Sequence, residues 1–399
     1  MPSDSYDYQM TIDEMMPGVI ADRRHLHQHP ELAFQEIETA AFVADRLHTL
    51  GLEEIKTGVG KTGVTALIKG TGTNGSGKVL MLRADMDALP ILEENETEYV
   101  SQHPGVMHAC GHDAHVSMLL GTTKVLMDRR GEFDGTVKVL FQPAEEGGGG
   151  ATAMRAAGAL ENPTVDAAMG IHIWQDVPSG DVWVREGTAM VGVTGFTITV
   201  NGRGGHGASP DLCVDPIVVG AAIVNASLSL VSREKSPVTP EVVSIGSFRS
   251  GEAANVIPDT AKLRGTIRSV TREQGDAVQK RLQTLAEGIA SSMGASATVE
   301  FGGSAPPLIN DATIAAVVRN AAIEGFGEER VSAGNLMSVS EDFGEFLDPV
   351  PGCYFFVGSR NEHKGFVYGH HHPKFDIDEE AMATGIEAMS RAAIKYLQD

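Results

Sequence analysis

Short apolar runs that end in charged residues, separated by helix-like segments, constrain this chain more than any other feature. Val79-Leu80-Met81-Leu82 runs into Arg83-Ala84-Asp85-Met86-Asp87. Thr136-Val137-Lys138-Val139-Leu140-Phe141 reads as a buried strand stopped by Pro143, and residues 167–173 read as another. Between them lie a helical stretch after His112, with Val116, Leu119, Leu120 and Leu126 on one side, and a second helix over 151–160. Strands alternating with helices require a largely parallel sheet covered on both faces.

The middle of the chain breaks this pattern. Phe196, Ile198 and Val200 alternate with Thr197 and Thr199, as in a half-buried strand. Asp215-Pro216 opens a helix as cap and first-turn proline, with an apolar face of Ile217, Ala221, Val224, Leu228 and Val231. Residues 241–248 and 261–268 read as strands, a second helix carries Val278, Leu282, Leu285 and Ile289, and 297–301 is a last strand. The order β-α-β-β-α-β is that of a ferredoxin-like unit. The predicted architecture is therefore α/β, with a mostly parallel sheet domain over 1–189 and 306–399. A ferredoxin-like α+β domain is inserted at 190–305. The α/β pattern resumes with a helix near 311–324 and a strand at 353–357.

Composition narrows the function. The 399 residues are 42% apolar and 21% charged, the profile of a globular protein. The net charge of −22 opposes binding to nucleic acid or to an anionic membrane surface. No apolar run reaches the roughly 18 residues of a membrane span. Met1-Pro2-Ser3-Asp4-Ser5 lacks the basic and apolar regions of a secretory leader, so a cytoplasmic location is expected. Cys110, Cys213 and Cys353 are widely spaced and odd in number, against a disulfide framework; Cys213 and Cys353 read as small packing residues.

Reactive residues gather where an open α/β sheet binds ligands, beyond the carboxyl ends of its strands. Asp85 and Asp87 follow the strand at 79–82, and Glu145 and Glu146 follow the strand at 136–141. His172 ends the strand at 167–173. Cys110 and His112 precede a helix, and His370-His371-His372-Pro373 follows the strand at 353–357 after a loop. Cys110 and His112 are two apart, which places both side chains on one side of an extended segment. Such a pair is a set of metal ligands, a nucleophile with its base, or coincidence. A dyad would leave Glu145, Glu146 and His172 without a role, and structural zinc takes compact Cys/His knuckles. Adjacent Glu145 and Glu146 cannot face the same way, so one can bind metal while the other stays free as a base. Five ligand candidates exceed the needs of one catalytic ion and suit two ions sharing a bridging ligand and a bridging water. His25, His27, His29, His48, His103 and His363 are read as ordinary hydrogen-bonded histidines, with His108 and His115 ambiguous. Gly70 to Gly77 reads as a turn. Gly147 to Gly150 lacks a following Gly-Lys-Ser/Thr and is read as letting backbone approach the metals.

These segments, taken together, resemble the metal-dependent aminoacylase/carboxypeptidase family, in the branch with hippurate hydrolase, indole-acetyl-amino-acid hydrolases and thermostable carboxypeptidases. The resemblance runs nearly end to end. It covers Arg24 to Leu32 (RHLHQHPEL), Arg83 to Pro90, Met107 to His115 (MHACGHDAH), Gln142 to Gly147, Gly170-Ile171-His172, Gly204 to Ala208, Asn255 to Asp259, Gly265 to Arg268, Ser340 to Phe343 and Phe375-Asp376. It implies that Cys110 bridges two divalent ions, with His112, Glu146, His172 and His371 completing their coordination. His371 is chosen over His370 because the family's ligand stands two residues before proline, here Pro373. Zinc is the first choice of metal, with manganese, cobalt or nickel also compatible. The resemblance further implies that Glu145 is the general base, that Asp87 orients a ligand or the base, and that the His27/His29 motif is structural. The inserted domain becomes a lid and dimerisation domain of a homodimer or higher homo-oligomer. His206 would reach a partner's site, and Asn255 and Arg268 would hold the substrate's carboxylate. The implied reaction is hydrolysis of the amide bond of an N-acyl amino acid. The alternatives are a carboxypeptidase or dipeptidase, and a catalytically silent metal-binding protein on the same fold.

Overall fold

A computed structural model describes residues 7–73, 77–234 and 240–398. Residues 1–6, which carry the leader reading, and residues 74–76 of the glycine-rich turn lie outside the described residues. The chain divides into two compact units, Met1–Ala189 with Ile309–Asn335 and Asp342–Asp399, and Met190–Leu308 with Leu336–Glu341. Residues 306–308 and Leu336–Glu341 thus fall in the second unit.

The described residues of the first unit form an eight-stranded mixed sheet. Its order is Lys56–Val59, Gly63–Lys69, Thr136–Gln142, Val79–Asp85, Ala167–Pro178, Gly352–Arg360, Val182–Trp183 and Val331–Ser332. The four central strands are parallel to one another, and antiparallel pairs flank them. Leu80, Met81, Leu82, Arg83 and Ala84 are all fully buried, as expected for a parallel strand covered on both faces. Strand order reverses about Val79–Asp85, because the chain reaches Thr136–Gln142 on one side of it and then Ala167–Pro178 on the other. That makes its carboxyl end a natural ligand site. Helix His112–Asp128 packs beside Tyr8–Gln28 and Ala381–Gln398. Side chains cap several helices. Asp311 accepts the N–H groups of Thr313 and Ile314 at 2.9 and 3.0 Å ahead of Ala312–Phe326, and Glu31 accepts those of Ile37, Glu38 and Thr39 ahead of Ile37–Thr49.

Two elements depart from their predicted bounds. The strand predicted at 167–173 continues to Pro178, because it pairs in parallel with Gly352–Arg360 along most of that length, so His172 lies within the strand and not at its end. The helix predicted over 151–160 is only Gly150–Ala156. The chain then turns around the ammonium of Lys138, which donates to the carbonyls of Ala159, Glu161 and Pro163 at 3.0, 2.7 and 3.0 Å. Burial, with Lys56 nearby, pulls the Lys138 pKa down to about 8.

The described residues of the second unit form a four-stranded antiparallel sheet in the order Val242–Arg249, Thr260–Ser269, Gly192–Asn201, Ser296–Ala305, with helices Pro216–Ser232 and Arg272–Ser292. This is the ferredoxin-like order. Asp215 caps the first helix, accepting the Ile217 N–H at 2.8 Å. Its core-facing side is not the predicted one. Val219, Ile223 and Leu230 are buried, whereas Ile217 and Leu228 are 41% and 58% exposed. The helix is apolar all round, so periodicity alone cannot choose its inner face. No helix among the described residues is long and apolar enough to cross a membrane.

A buried ion cluster links the N-terminal helix to the rest of the first unit. Arg23, fully buried, donates through Nε to Asp113 at 2.8 Å and through Nη2 to Asp376 at 2.8 Å. His27 places Nδ1 2.8 Å from Asp113 and Nε2 3.1 Å from Glu93. Burial and Arg23 push the His27 imidazole down, but Asp113 and Glu93 outweigh them and hold its pKa up at about 9, against an ordinary 6.5. A base whose folded pKa is raised contributes stability fully below its unfolded pKa and loses it as pH rises through the folded one. The stability difference between wild type and His27→Gln should therefore be constant below about pH 6.5 and shrink by on the order of 3 kcal/mol towards pH 9. Denaturant unfolding across that range measures it, and a pH-independent difference would contradict a charged His27.

Candidate metal centre

Strand Val79–Asp85 delivers the first anchor. Asp85, at its last position, is fully buried and already engaged: Oδ2 accepts from Arg83 Nη1 at 2.6 Å, and Oδ1 lies 2.5 Å from His115 Nδ1. Burial raises its pKa, but Arg83, His112 and His115 outweigh that and hold it well below the usual carboxylate range. His115 accepts the Ile173 N–H on Nε2 at 2.9 Å. With both nitrogens committed, His115 braces Asp85 against strand Ala167–Pro178. Two residues on, Asp87 holds three parts of the site. Its Oδ1 accepts the Glu145 N–H at 2.9 Å, its Oδ2 the Glu146 N–H at 3.0 Å, and its carbonyl lies 2.8 Å from His112 Nδ1.

Cys110 and His112 do not share an extended segment. Gly111 has φ +88°, a left-handed conformation, and caps helix His112–Asp128, so the chain turns sharply between the two side chains. After strand Thr136–Gln142, Ala144 is also left-handed, with φ +53°. The glycine run beyond Glu146 has a steric reason of its own: a Cβ on Gly150 would lie 1.6 Å from the Pro143 carbonyl oxygen. The run lets the loop fold back on itself.

These elements bring the five predicted ligands and Glu145 together. Ligand atoms of Cys110, His112 and His172 lie within 4.8 Å of one another, as do those of Cys110, Glu146 and His371, and those of His112, Glu145 and Glu146. Cys110 Sγ is 3.6 Å from His172 Nε2, and His371 Nε2 is 3.0 Å from Glu146 Oε1. His371 is itself left-handed, with φ +66°, and its N–H donates to the Ala109 carbonyl at 2.8 Å, tying its loop to the Cys110 loop. His370 points elsewhere: its Nε2 accepts the Gln175 N–H at 3.2 Å.

The residues suit divalent cations on two grounds. His112 Nδ1 faces the Asp87 carbonyl, which leaves Nε2 as a lone-pair nitrogen, and this buried atom has no hydrogen-bond partner among the described residues. His172 likewise turns Nδ1 to the Ile173 carbonyl and keeps Nε2 towards Cys110. The second ground is charge. Burial pushes the Cys110 thiol well up, and Glu146, Glu145 and Asp85 push it further. Burial lowers the His112 pKa, but Asp85 and Asp87 raise it to about 10. A pocket that disfavours a thiolate and draws a proton onto a buried imidazole is short of positive charge. The same field opposes a nucleophilic Cys110, since reactive thiolates need electropositive surroundings.

Three predicted residues lie in the second unit. Strand Gly205–His206 pairs with Val256–Ile257, which sets His206 beside Asn255. His206 is exposed, and its Nδ1 accepts the Ala208 N–H at 3.0 Å, so a neutral ring carries its proton on Nε2. Arg268 Nη1 donates to the Ser338 carbonyl at 3.1 Å.

Sequence reasoning gave no role to Arg83 or Asp342. Arg83, fully buried, reaches Gln142, Asp85, Tyr354 and Asp342 at 2.8, 2.6, 3.2 and 3.3 Å. Asp342 accepts from Gln142 and the Ala151 N–H at 2.7 and 3.0 Å, and its own N–H lies 3.4 Å from Glu145 Oε1. An arginine set inside an apolar run was the available signal, because a buried cation demands buried anions.

The fold and site define a metal-dependent hydrolase of the α/β class with an inserted ferredoxin-like unit. Residues 81–395 match the model of peptidase family M20/M25/M40. The chain is 41% identical over 388 residues to the putative amidohydrolase YhaA of Bacillus subtilis, covering 97% of this chain and 96% of that protein. It is 39% identical to thermostable carboxypeptidase 2 of Saccharolobus solfataricus (96% and 97% covered) and 38% identical to N-acetylcysteine deacetylase of B. subtilis (94% and 96%). Its fold is similar to that of a putative aminohydrolase from methicillin-resistant Staphylococcus aureus, with TM-score 0.91, 35% identity and 97% and 98% of the chains covered. It is similar also to B. subtilis YxeP, described as a dinuclear metal-binding peptidase, with TM-score 0.84, 34% identity and 96% and 99% covered. The chain belongs to the M20 peptidase family and is a hydrolase of amide or peptide bonds.

Proposed function

We propose that this protein hydrolyses the amide bond of N-acyl amino acids, using two divalent ions held by Cys110, His112, Glu146, His172 and His371, with Cys110 between them. The observation that carries the reading is the division of labour within the Glu145–Glu146 pair. Glu146 faces His371, while Glu145 Oε1 meets the Asp342 N–H at 3.4 Å, and Asp87 fixes the backbone of both. When bound, such ions acidify a water and polarise a carbonyl. Zinc suits the thiolate best. Glu145 is the general base: its carboxylate takes the proton of the attacking water and returns it to the leaving amine. The YxeP description supports a two-ion centre, and the deacetylase relative supports an N-acyl substrate.

His206 is the proposed oxyanion donor through its exposed Nε2–H, and Asn255 and Arg268 are proposed to hold the substrate carboxylate. The carboxypeptidase relative supports peptide substrates as the second reading. A panel of N-acetyl, N-benzoyl and dipeptide substrates separates the two, since the bond chemistry is the same and only the fit differs.

A homodimer through the second unit is part of the proposal. Ile217, Val218 and Leu228 on helix Pro216–Ser232, with Val242 and Phe248 on the edge strand Val242–Arg249, are all more than a third exposed. In this reading His206 of the partner subunit completes each site. Leu228→Asp should convert dimer to monomer in analytical ultracentrifugation and lower turnover at least tenfold, as loss of an oxyanion donor does. A fully active monomer would remove His206 from the mechanism.

Two further variants test the chemistry. Glu145→Gln should keep wild-type metal content by elemental analysis and lose turnover by about 10²–10⁴-fold. Cys110→Ala should lose both metal and activity. Normal turnover in the first, or full metal content in the second, would sink the corresponding role.

A further inference from the structure

The loop that carries Glu145 is gripped by a carboxylate the scheme above does not use. Glu36 is fully buried at the start of helix Ile37–Thr49. Its Oε1 accepts the N–H groups of Phe34 at 3.0 Å and Ala144 at 2.9 Å, and its Oε2 accepts the Thr62 hydroxyl at 2.6 Å. With the two bonds to Asp87, the N–H groups of Ala144, Glu145 and Glu146 are each held by a carboxylate oxygen. Three consecutive backbone donors, with that of Glu145 in the middle, are thus fixed.

The residues that Glu36 touches or adjoins are strained. Ala144, Phe34 and Lys61, the neighbour of Thr62, have φ of +53°, +60° and +88°, a region disfavoured for residues with a Cβ. Lys61 Nζ sits 3.6 Å above the Phe34 ring, closing the group. Left-handed conformations at ordinary residues persist only where their surroundings over-determine them. The bond from Ala144 to Glu36 supplies that constraint directly ahead of Glu145.

We propose that Glu36 is a positioning residue for Glu145, locking Ala144 in its left-handed conformation so that the Glu145 carboxylate is aimed before substrate binds. This rests on the reading of Glu145 as general base. The role needs an acceptor and not a charge. A glutamine can keep Oε1 on both N–H groups while its amide donates to the Thr62 oxygen.

The test uses the metal-loaded full chain and the best substrate of the panel, with Glu36→Ala, Glu36→Gln and Glu145→Gln measured in parallel. Glu36→Ala should keep its metal content and a KM within about twofold, while kcat falls about 10–100-fold. Rates are taken per folded, metal-loaded chain, so that a smaller active fraction does not count as a loss of kcat. Glu36→Gln should recover kcat to within about threefold of wild type. Wild-type kcat in Glu36→Ala, or a loss that Glu36→Gln shares in full, would overturn the role. Should Glu36→Ala not fold, Thr62→Val decides: kcat reduced about threefold with KM unchanged supports it, and unchanged kinetics overturn it. An active Glu145→Gln would instead remove the base assignment itself, so the two failures are distinct.

Discussion

The carboxylate of Asp87 is the joint on which the site depends. It receives the backbone N–H groups of Glu145 and Glu146, and its carbonyl lies 2.8 Å from His112 Nδ1. Three segments remote in sequence thereby meet at the carboxyl end of one strand. Asp85, two residues earlier, cannot serve in the same way, because Arg83 and His115 already occupy its oxygens. The alternation along this strand matters: Arg83 and Asp85 face the buried ion network, and the chain leaves the strand before Asp87. Around the joint, negative charge accumulates until His112 and Cys110 both favour their protonated forms. That surplus is the electrostatic signature of a cation site.

Much of this was legible in the sequence, for identifiable reasons. Buried parallel strands announce themselves as continuous apolar runs, so Val79–Asp85 and Thr136–Gln142 were found with small errors at their ends. The β-α-β-β-α-β order of the second unit followed from period and caps, Asp215-Pro216 above all. Reactive residues at strand ends pointed to a metal centre, and the family resemblance assigned them.

What was not legible depends on long-range partners or on backbone dihedrals. Helix Pro216–Ser232 is apolar on every side, and only packing against the sheet selects Val219, Ile223 and Leu230. Lys138 stands in an apolar strand, and nothing local says that its ammonium will gather three carbonyls from the chain beyond Leu160 and just before it. The left-handed turn at Gly111 converts a pair read as side by side into a loop thiol and a helix-terminal imidazole. His172 extends into a longer strand because Gly352–Arg360, far along the chain, supplies its pairing edge.

The central claim is that this negatively charged cluster holds two divalent ions and that turnover follows them. Titration of zinc into chelator-stripped protein, with calorimetry and activity read on the same samples, tests it most directly. The account predicts two ions bound per chain, none lost with conservative replacement of Glu145, and activity that appears as the sites fill. Undiminished hydrolysis by protein with less than one ion per chain would contradict it.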